Sequence, residues 1–310
     1  MATPHFGLLA WPQSTEWAPY RDLLVAADAS GWNSIWTWDH LLSITGGWDQ
    51  SIFEGWTSLA AIAALTSHVR MGLMVGANTF RNPGLTAKLA TTLDHISNGR
   101  AILGLGGAWF EREHDAFGID FGSSVGERLD RLDESVMLMR RLLDGERFSH
   151  EGRFYTFHDA VCAPRPIQAH LPILVGGSGP RKTLRTVAMR ADAWNTNGTV
   201  DELRGRLEIL AEHCAAPDIG RDIATIEKTA SFPLLIRDDR RVAEREYAQA
   251  LAHNGVDDMG NTPLLGPPTE VADALRPYIE LGFETVIIRM PAPYDRETID
   301  RMARVAELLP

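Results

Sequence analysis

Short apolar runs alternate with amphipathic helical stretches along the whole chain, and this alternation constrains the fold more than any other feature. His5–Ala10, Ser34–His40, Arg70–Gly76, Ala101–Leu105, Ile173–Val175, Ala193–Asn195, Ile226–Ile236 and Thr285–Met290 read as strands, with Pro233 interrupting the seventh. Helical spacing predicts helices over Tyr20–Ser30, Thr57–Thr66, Gly84–Ser97, Arg128–Leu143, Arg181–Arg190, Glu202–Cys214, Thr269–Leu281 and Arg296–Leu309. Parallel strands need a crossover, usually a helix, so strand alternating with helix implies a parallel sheet covered by helices. Eight such units predict the α/β class and a closed (β/α)8 TIM barrel, one domain over residues 1–310.

The segment Asn82–Gly118 shows one unit in detail. Pro83 sits where a helix can begin, because its missing N–H would have no intrahelical partner. Leu85, Leu89, Thr92, Leu93 and Ile96 recur at helical spacing, and Asn98-Gly99 provides a left-handed stop. The buried run that follows ends in Gly104-Leu105-Gly106-Gly107-Ala108, then in Trp109, Phe110, Glu111 and His114. Small residues at a strand's carboxyl end let a ligand approach the backbone.

Three long connections break the rhythm as insertions after strands 2, 4 and 7: Leu41–Trp56, Gly145–Leu171 and Arg237–Pro268, the last with its own helix at Val242–His253. Loops of this length commonly serve binding. Gly145–Leu171, rich in aromatics and histidine, reads as a substrate-side insertion.

The net charge of −11 with no basic block speaks against nucleic acid as a partner. No run approaches the ~20 apolar residues of a membrane span, and the first residues lack the pattern of a signal peptide. The two cysteines form no pairable motif. Together these features predict a cytoplasmic protein. No His/Cys spacing reads as a metal site.

Two constellations carry chemistry. Pro172–Thr183 (PILVGGSGPRKT) runs a buried strand into Gly176-Gly177-Ser178-Gly179, with Pro180 expected in the first turn of a helix. Backbone N–H groups converging at a helix amino terminus, with Arg181 and Lys182 beside them, suit a phosphate. The spacing is not that of a Walker loop, and Gly104–Gly106 does not complete a dinucleotide fingerprint. The second constellation, Trp38-Asp39-His40, closes a strand where a barrel places its chemistry. An acid/base pair and a loop-tethering pair are both open readings of it.

The ordered set of motifs resembles the bacterial luciferase-like family of flavin- and deazaflavin-dependent oxidoreductases, most closely the F420-dependent branch found in actinobacteria. The similar segments are RNPGLTAKLATTLDHISNGRAILGLG with AWFEREHDAFG, Trp38-Asp39-His40, FEGWTSL (53–59), PILVGGSGPRKT and RADAWN (190–195), covering most of residues 1–235. The resemblance implies His40 as the catalytic residue, a proton partner at the hydride centre, with Asp39 on the cofactor side. It implies a bulge at Met74–Val75 with a non-proline cis peptide under the flavin ring, and Asn78 at the ring's pyrimidine edge. Gly176, Gly177, Ser178, Gly179, Pro180 and Arg181 carry over as phosphate contacts. F420-dependent sugar-phosphate dehydrogenases of this superfamily place a catalytic glutamate where this chain has Trp109, a departure that points to a more apolar substrate. Trp11, Trp56 and Trp109 are expected to wall the substrate pocket.

The resulting expectation is an enzyme transferring a hydride between coenzyme F420 and a small apolar or aromatic substrate. The alternative is an FMN-dependent monooxygenase of the same fold, served by a separate flavin or F420 reductase. A non-catalytic ligand-binding barrel is more remote. Relatives commonly form homodimers.

Overall fold

The computed structural model describes residues 4–260 and 262–310. Eight parallel strands form a closed ring: β1 (His5–Ala10), β2 (Ser34–Thr37), β3 (Arg70–Leu73), β4 (Ala101–Gly106), β5 (Ile173–Gly176), β6 (Ala193–Thr196), β7 (Glu227–Ile236) and β8 (Thr285–Met290). Each pairs with its neighbours in sequence, and β8 pairs with β1 from His5↔Thr285 to Ala10↔Met290, which closes the (β/α)8 TIM barrel. Around it run α1 (Trp17–Ala29), α2 (Gly55–Ala63), α3 (Pro83–Ile96), α4 (Glu111–Phe117), α5 (Val125–Leu143), α6 (Thr183–Arg190), α7 (Val200–Ala215), α8 (Arg240–His253), α9 (Pro268–Glu280) and α10 (Arg296–Glu307). None of the helices is long and apolar enough to cross a membrane, among the described residues.

Side chains alternate across each strand. One set, including Leu9, Trp36, Ile102, Leu174 and Ile287, fills the barrel interior. The other, including Leu8, Ile35, Leu103, Val175 and Ile288, packs under the helices. Trp36 fits inside because glycines face it: a Cβ on Gly7 would lie 2.9 Å from its indole nitrogen, and one on Gly72 3.0 Å from its ring.

Local signals act as their chemistry requires. Asn82 caps α3 by accepting the Gly84 N–H at 2.8 Å, with Pro83 in the first turn, and Asn98 and Gly99 end it at φ of +57° and +83°. β7 runs unbroken through Pro233 because the strand changes partners there. Thr229 to Pro233 pair with β8, whereas Leu234 to Ile236 pair with Leu264–Gly266, so the missing proline N–H falls at the switch.

The insertion at Gly145–Leu171 runs back along α5, its tip bringing the Tyr155 hydroxyl within 3.4 Å of the Asn78 amide after β3. It follows α5, which returns the chain to the amino-terminal end of the barrel. It folds as an antiparallel hairpin, Phe148–Glu151 with Thr156–Ala160, outside the helices. Glu134 of α5 anchors it by accepting the N–H groups of Phe154 and Tyr155 at 3.2 and 3.1 Å.

Candidate active site

The carboxyl ends of the strands surround a cavity of about 860 Å3. Trp11, Trp38, Asp39 and His40 form the wall at β1 and β2, and Met74, Val75, Gly76 and Ala77 the floor at β3. Trp109 and Glu113 follow β4, Gly176 to Gly179 follow β5, and Arg289 stands at the end of β8. From the long connections come Ile44 and Thr45 after β2 and the segment Asp258 to Gly260 after β7. The hairpin contributes no residue to this lining among the described residues.

His40 is held by a buried partner. Its Nδ1 lies 2.9 and 3.2 Å from the two carboxylate oxygens of Glu113, which also accept the Leu41 N–H at 2.8 Å. A carboxylate only accepts, so Nδ1 carries the proton and Nε2 is left for the cavity. Glu113 is 1% exposed, and Trp38 and Trp109 meet the imidazole edge-on at 5.9 and 5.5 Å. Glu113 escaped sequence reasoning. Its only signal was position, since it and His114 are the two buried residues of α4. His114 is a satisfied core histidine, donating from Nδ1 to the Phe110 carbonyl and accepting from the Thr79 hydroxyl at Nε2.

Asp39 is fully engaged by protein. Arg81 donates to both its oxygens at 2.7 and 2.9 Å, and the Ala77 N–H donates at 2.9 Å. Arg81 also bonds Glu54 at 2.9 Å, and Glu54 caps α2 by accepting the N–H groups of Trp56 and Thr57. Burial works to lower the Arg81 pKa, but the two carboxylates hold it above its ordinary value. The tether ties the end of β2 to the segment after β3. The FEGW motif contributes Glu54 to this tether rather than a pocket wall: Trp56 lies on α2, buried in the outer core, and does not line the cavity.

After Leu73 the third strand breaks into a bulge whose Met74–Val75 peptide is cis, then resumes as Gly76–Ala77 beside Leu105 and Gly106 of β4. Val75 projects over the cavity floor between two glycines. A Cβ on Gly106 would lie 2.6 Å from one Val75 methyl, and one on Gly176 2.7 Å from the other. Asn78 stands just beyond the floor, buried, its amide 3.4 Å from the Tyr155 hydroxyl.

The loop after β5 is braced from β6. Gly177 donates to the Asn195 carbonyl at 3.0 Å, and its own carbonyl accepts the Trp194 indole N–H at 2.7 Å, which gives the RADAWN motif a physical role. The N–H groups of Ser178 and Gly179 have no acceptor among the described residues. Gly177 has a φ of +127°, and a Cβ on Gly179 would lie 2.9 Å from the Thr183 hydroxyl. These donors and this lack of bulk fit a phosphate. Pro180 does not open the helix: α6 starts at Thr183 because the Leu184 N–H closes back on the Gly179 carbonyl at 3.0 Å, leaving 180–182 as a turn. Lys182 points away, bonding Asp130 at 2.5 Å and the Gly126 carbonyl at 3.0 Å. Pro180 and Arg181 are exposed and do not line the cavity.

Arg289, which sequence reasoning passed over, shares the inward face of β8 with Ile287. Burial pulls its guanidinium down to about 10, so it stays charged at neutral pH.

A family model described as luciferase-like monooxygenase matches residues 5–261. The phthiodiolone/phenolphthiodiolone dimycocerosates ketoreductase of Mycobacterium tuberculosis is 33% identical over 233 residues, 68% of this chain and 59% of that one. Among solved structures, an F420-dependent secondary alcohol dehydrogenase in complex with an F420-acetone adduct matches with a TM-score of 0.85 at 18% identity, over 100% of both chains. The oxygenating constituent of 3,6-diketocamphane monooxygenase from Pseudomonas putida, in complex with FMN, matches with a TM-score of 0.77 at 19% identity, again over 100% of both. At such identities the two structures speak for the barrel alone, while the family model spans most of the sequence. The chain belongs to the luciferase-like monooxygenase family and is an oxidoreductase of that family.

Proposed function

We propose that the protein is a coenzyme F420-dependent oxidoreductase acting between a small organic carbonyl compound with an apolar or aromatic body and its alcohol. The observation that carries this reading is His40, whose Nδ1 is fixed by buried Glu113 while Nε2 is left to a roomy, aromatic-walled cavity. Reducing a carbonyl needs a proton delivered to oxygen, and an imidazole whose doubly protonated form is stabilised by a carboxylate at Nδ1 suits delivery from Nε2, its neutral form being the base for the reverse direction.

The residues present fit a phosphate-bearing flavin or deazaflavin. Ser178 and Gly179 N–H groups and the small residues around them would hold the phosphate, and Val75 with Met74 would support the ring. The bound cofactor supplies two-electron hydride chemistry. His40 Nε2 donates a proton to the substrate oxygen in reduction and takes it back in oxidation. Glu113 keeps the imidazole in place and stabilises it when doubly protonated. Trp38 and Trp109 shield the imidazole from water. A ketoreductase relative supports the choice of reaction.

Titration of the purified protein with oxidised F420 and, separately, with FMN tests the choice of cofactor through cofactor fluorescence. Tighter saturable binding of F420 is expected. A preference for FMN would move the assignment to an oxygen-activating monooxygenase, in line with the FMN-bound neighbour. Binding of neither would overturn the enzyme reading.

A further inference from the structure

Arg289 is a largely buried cation that makes no ion pair among the described residues. Its Nε and Nη2 are closed off from solvent and make no hydrogen bond, and among the described residues no carboxylate comes within ion-pair distance of the guanidinium. Asp258 is close enough to be felt electrostatically, but its Oδ1 accepts the Gly260 N–H at 2.6 Å. Two further polar groups are in the same condition: the Tyr247 hydroxyl of α8 and the indole N–H of Trp11, just after β1, are buried and without a partner. Arg289 separates the main cavity from a side chamber of about 290 Å3, which Tyr247 also lines. Buried guanidinium groups are ordinarily paired, because an uncompensated buried charge is strongly unfavourable. Three side chains with unmet donors, Trp11 on the main cavity, Tyr247 on the side chamber and Arg289 between them, describe a receptor for an acceptor-rich, negatively charged group.

We propose that Arg289 and the Tyr247 phenol form a subsite for a carboxylate carried by the substrate, so that the enzyme acts on a small organic acid whose apolar body lies among Trp11, Trp38 and Met74. The fork of Arg289 matches a carboxylate in shape as well as charge. Reaching its occluded nitrogens requires the side chain to turn toward one of the two chambers it divides. The phosphate cradle lies three strands away around the ring, after β5, so the two anion sites are separate. This proposal rests on reading the cavity as the substrate chamber of an oxidoreductase.

The test uses the full chain and two matched probes, benzoate and benzyl alcohol, followed by calorimetry and by quenching of tryptophan fluorescence. We expect benzoate to bind wild type ~10–100-fold more tightly than benzyl alcohol, and Arg289→Met to abolish the preference. Tyr247→Phe should reduce it less, and Arg289→Lys, which keeps the charge but not the fork, should retain part of it. These two variants also decide the matter if Arg289→Met fails to fold. F420 affinity, measured on the same samples, should stay within about twofold. No preference in wild type, or a preference that survives in Arg289→Met, overturns the proposal. Loss of F420 binding in Arg289→Met with unchanged benzoate binding also overturns it, since the guanidinium would then serve the cofactor. A benzoate preference in a protein that binds neither F420 nor FMN would leave the carboxylate site standing and remove the cofactor reading.

Discussion

The rim of the barrel is answered on one side and open on the other. At β2, β3 and β4 the charged groups meet: His40 with Glu113, Asp39 with Arg81, Arg81 with Glu54, and the oxygens left over take backbone N–H groups. Around the ends of β8 and β1 and on α8, Arg289, Trp11 and Tyr247 leave buried donors unmet. Polar networks inside a low-dielectric interior fix geometry when complete and are costly when incomplete. The satisfied side holds His40 and the cavity floor in place. The unsatisfied side is built to be completed by something that binds.

The sharpest way to separate the two sides is to remove one group at a time, and the largest effect should fall on the chemistry. His40→Ala should lower turnover by ~10²–10⁴-fold in a reduction or oxidation assay with the preferred cofactor, with cofactor affinity little changed. Glu113→Gln should lower kcat less and move its pH profile, because the imidazole loses the carboxylate that fixes it; an unmoved profile would reduce Glu113 to a packing residue.

The two arginines should respond with opposite signs. Arg81→Met strands the buried Asp39 carboxylate and should destabilise the fold by about 3–5 kcal/mol in urea unfolding. Arg289→Met removes a charge that no carboxylate pairs with at contact distance among the described residues, and in the absence of ligand should stabilise by about 1–3 kcal/mol. Equal losses from both would erase the distinction drawn between the two sides.

The smallest effect concerns acid. Burial pushes the Glu54 carboxyl up, but the N–H groups of Thr57 and Trp56 and the Arg81 charge outweigh it, so the pKa lies below its ordinary value. A lowered folded-state pKa contributes stability that is present above the ordinary carboxylate value and lost as pH falls through the folded one. The stability gap between wild type and Glu54→Gln should therefore narrow in that acid window. A gap independent of pH would mean that the carboxylate's charge plays no part.

Local patterning told most of the fold. The strand and helix rhythm, Asn82-Pro83 at the start of α3 and Asn98-Gly99 at its end are all properties of neighbouring residues, and the eight strands lie where that patterning puts them. What the sequence hid depends on contacts far along the chain. Glu113 is one acidic residue among several in EREHDAF until the fold brings it to His40, 73 positions away. Arg81 reaches Asp39 across 42 positions, and Trp56 faces outward because α2 turns it into the outer core. The hairpin at 148–160 looked like a substrate loop by composition; among the described residues it lines no part of the cavity and touches the site's surroundings only through Tyr155 at Asn78. Arg289 could have been found, since strict alternation in TVIIRM places it on the face of Ile287, inside the barrel and at a strand's carboxyl end.

The most direct test of the cofactor assignment compares F420 with the deazaflavin nucleoside that lacks its phosphate, by fluorescence titration of the wild-type protein. We expect the phosphate to strengthen binding by at least about tenfold, the scale of one or two charge-assisted hydrogen bonds from the loop after β5. Inorganic phosphate should compete with F420. Equal affinity for the two molecules, with no competition by phosphate, would contradict the assignment of Gly176–Gly179 as the anion cradle and with it the placement of the cofactor in this cavity.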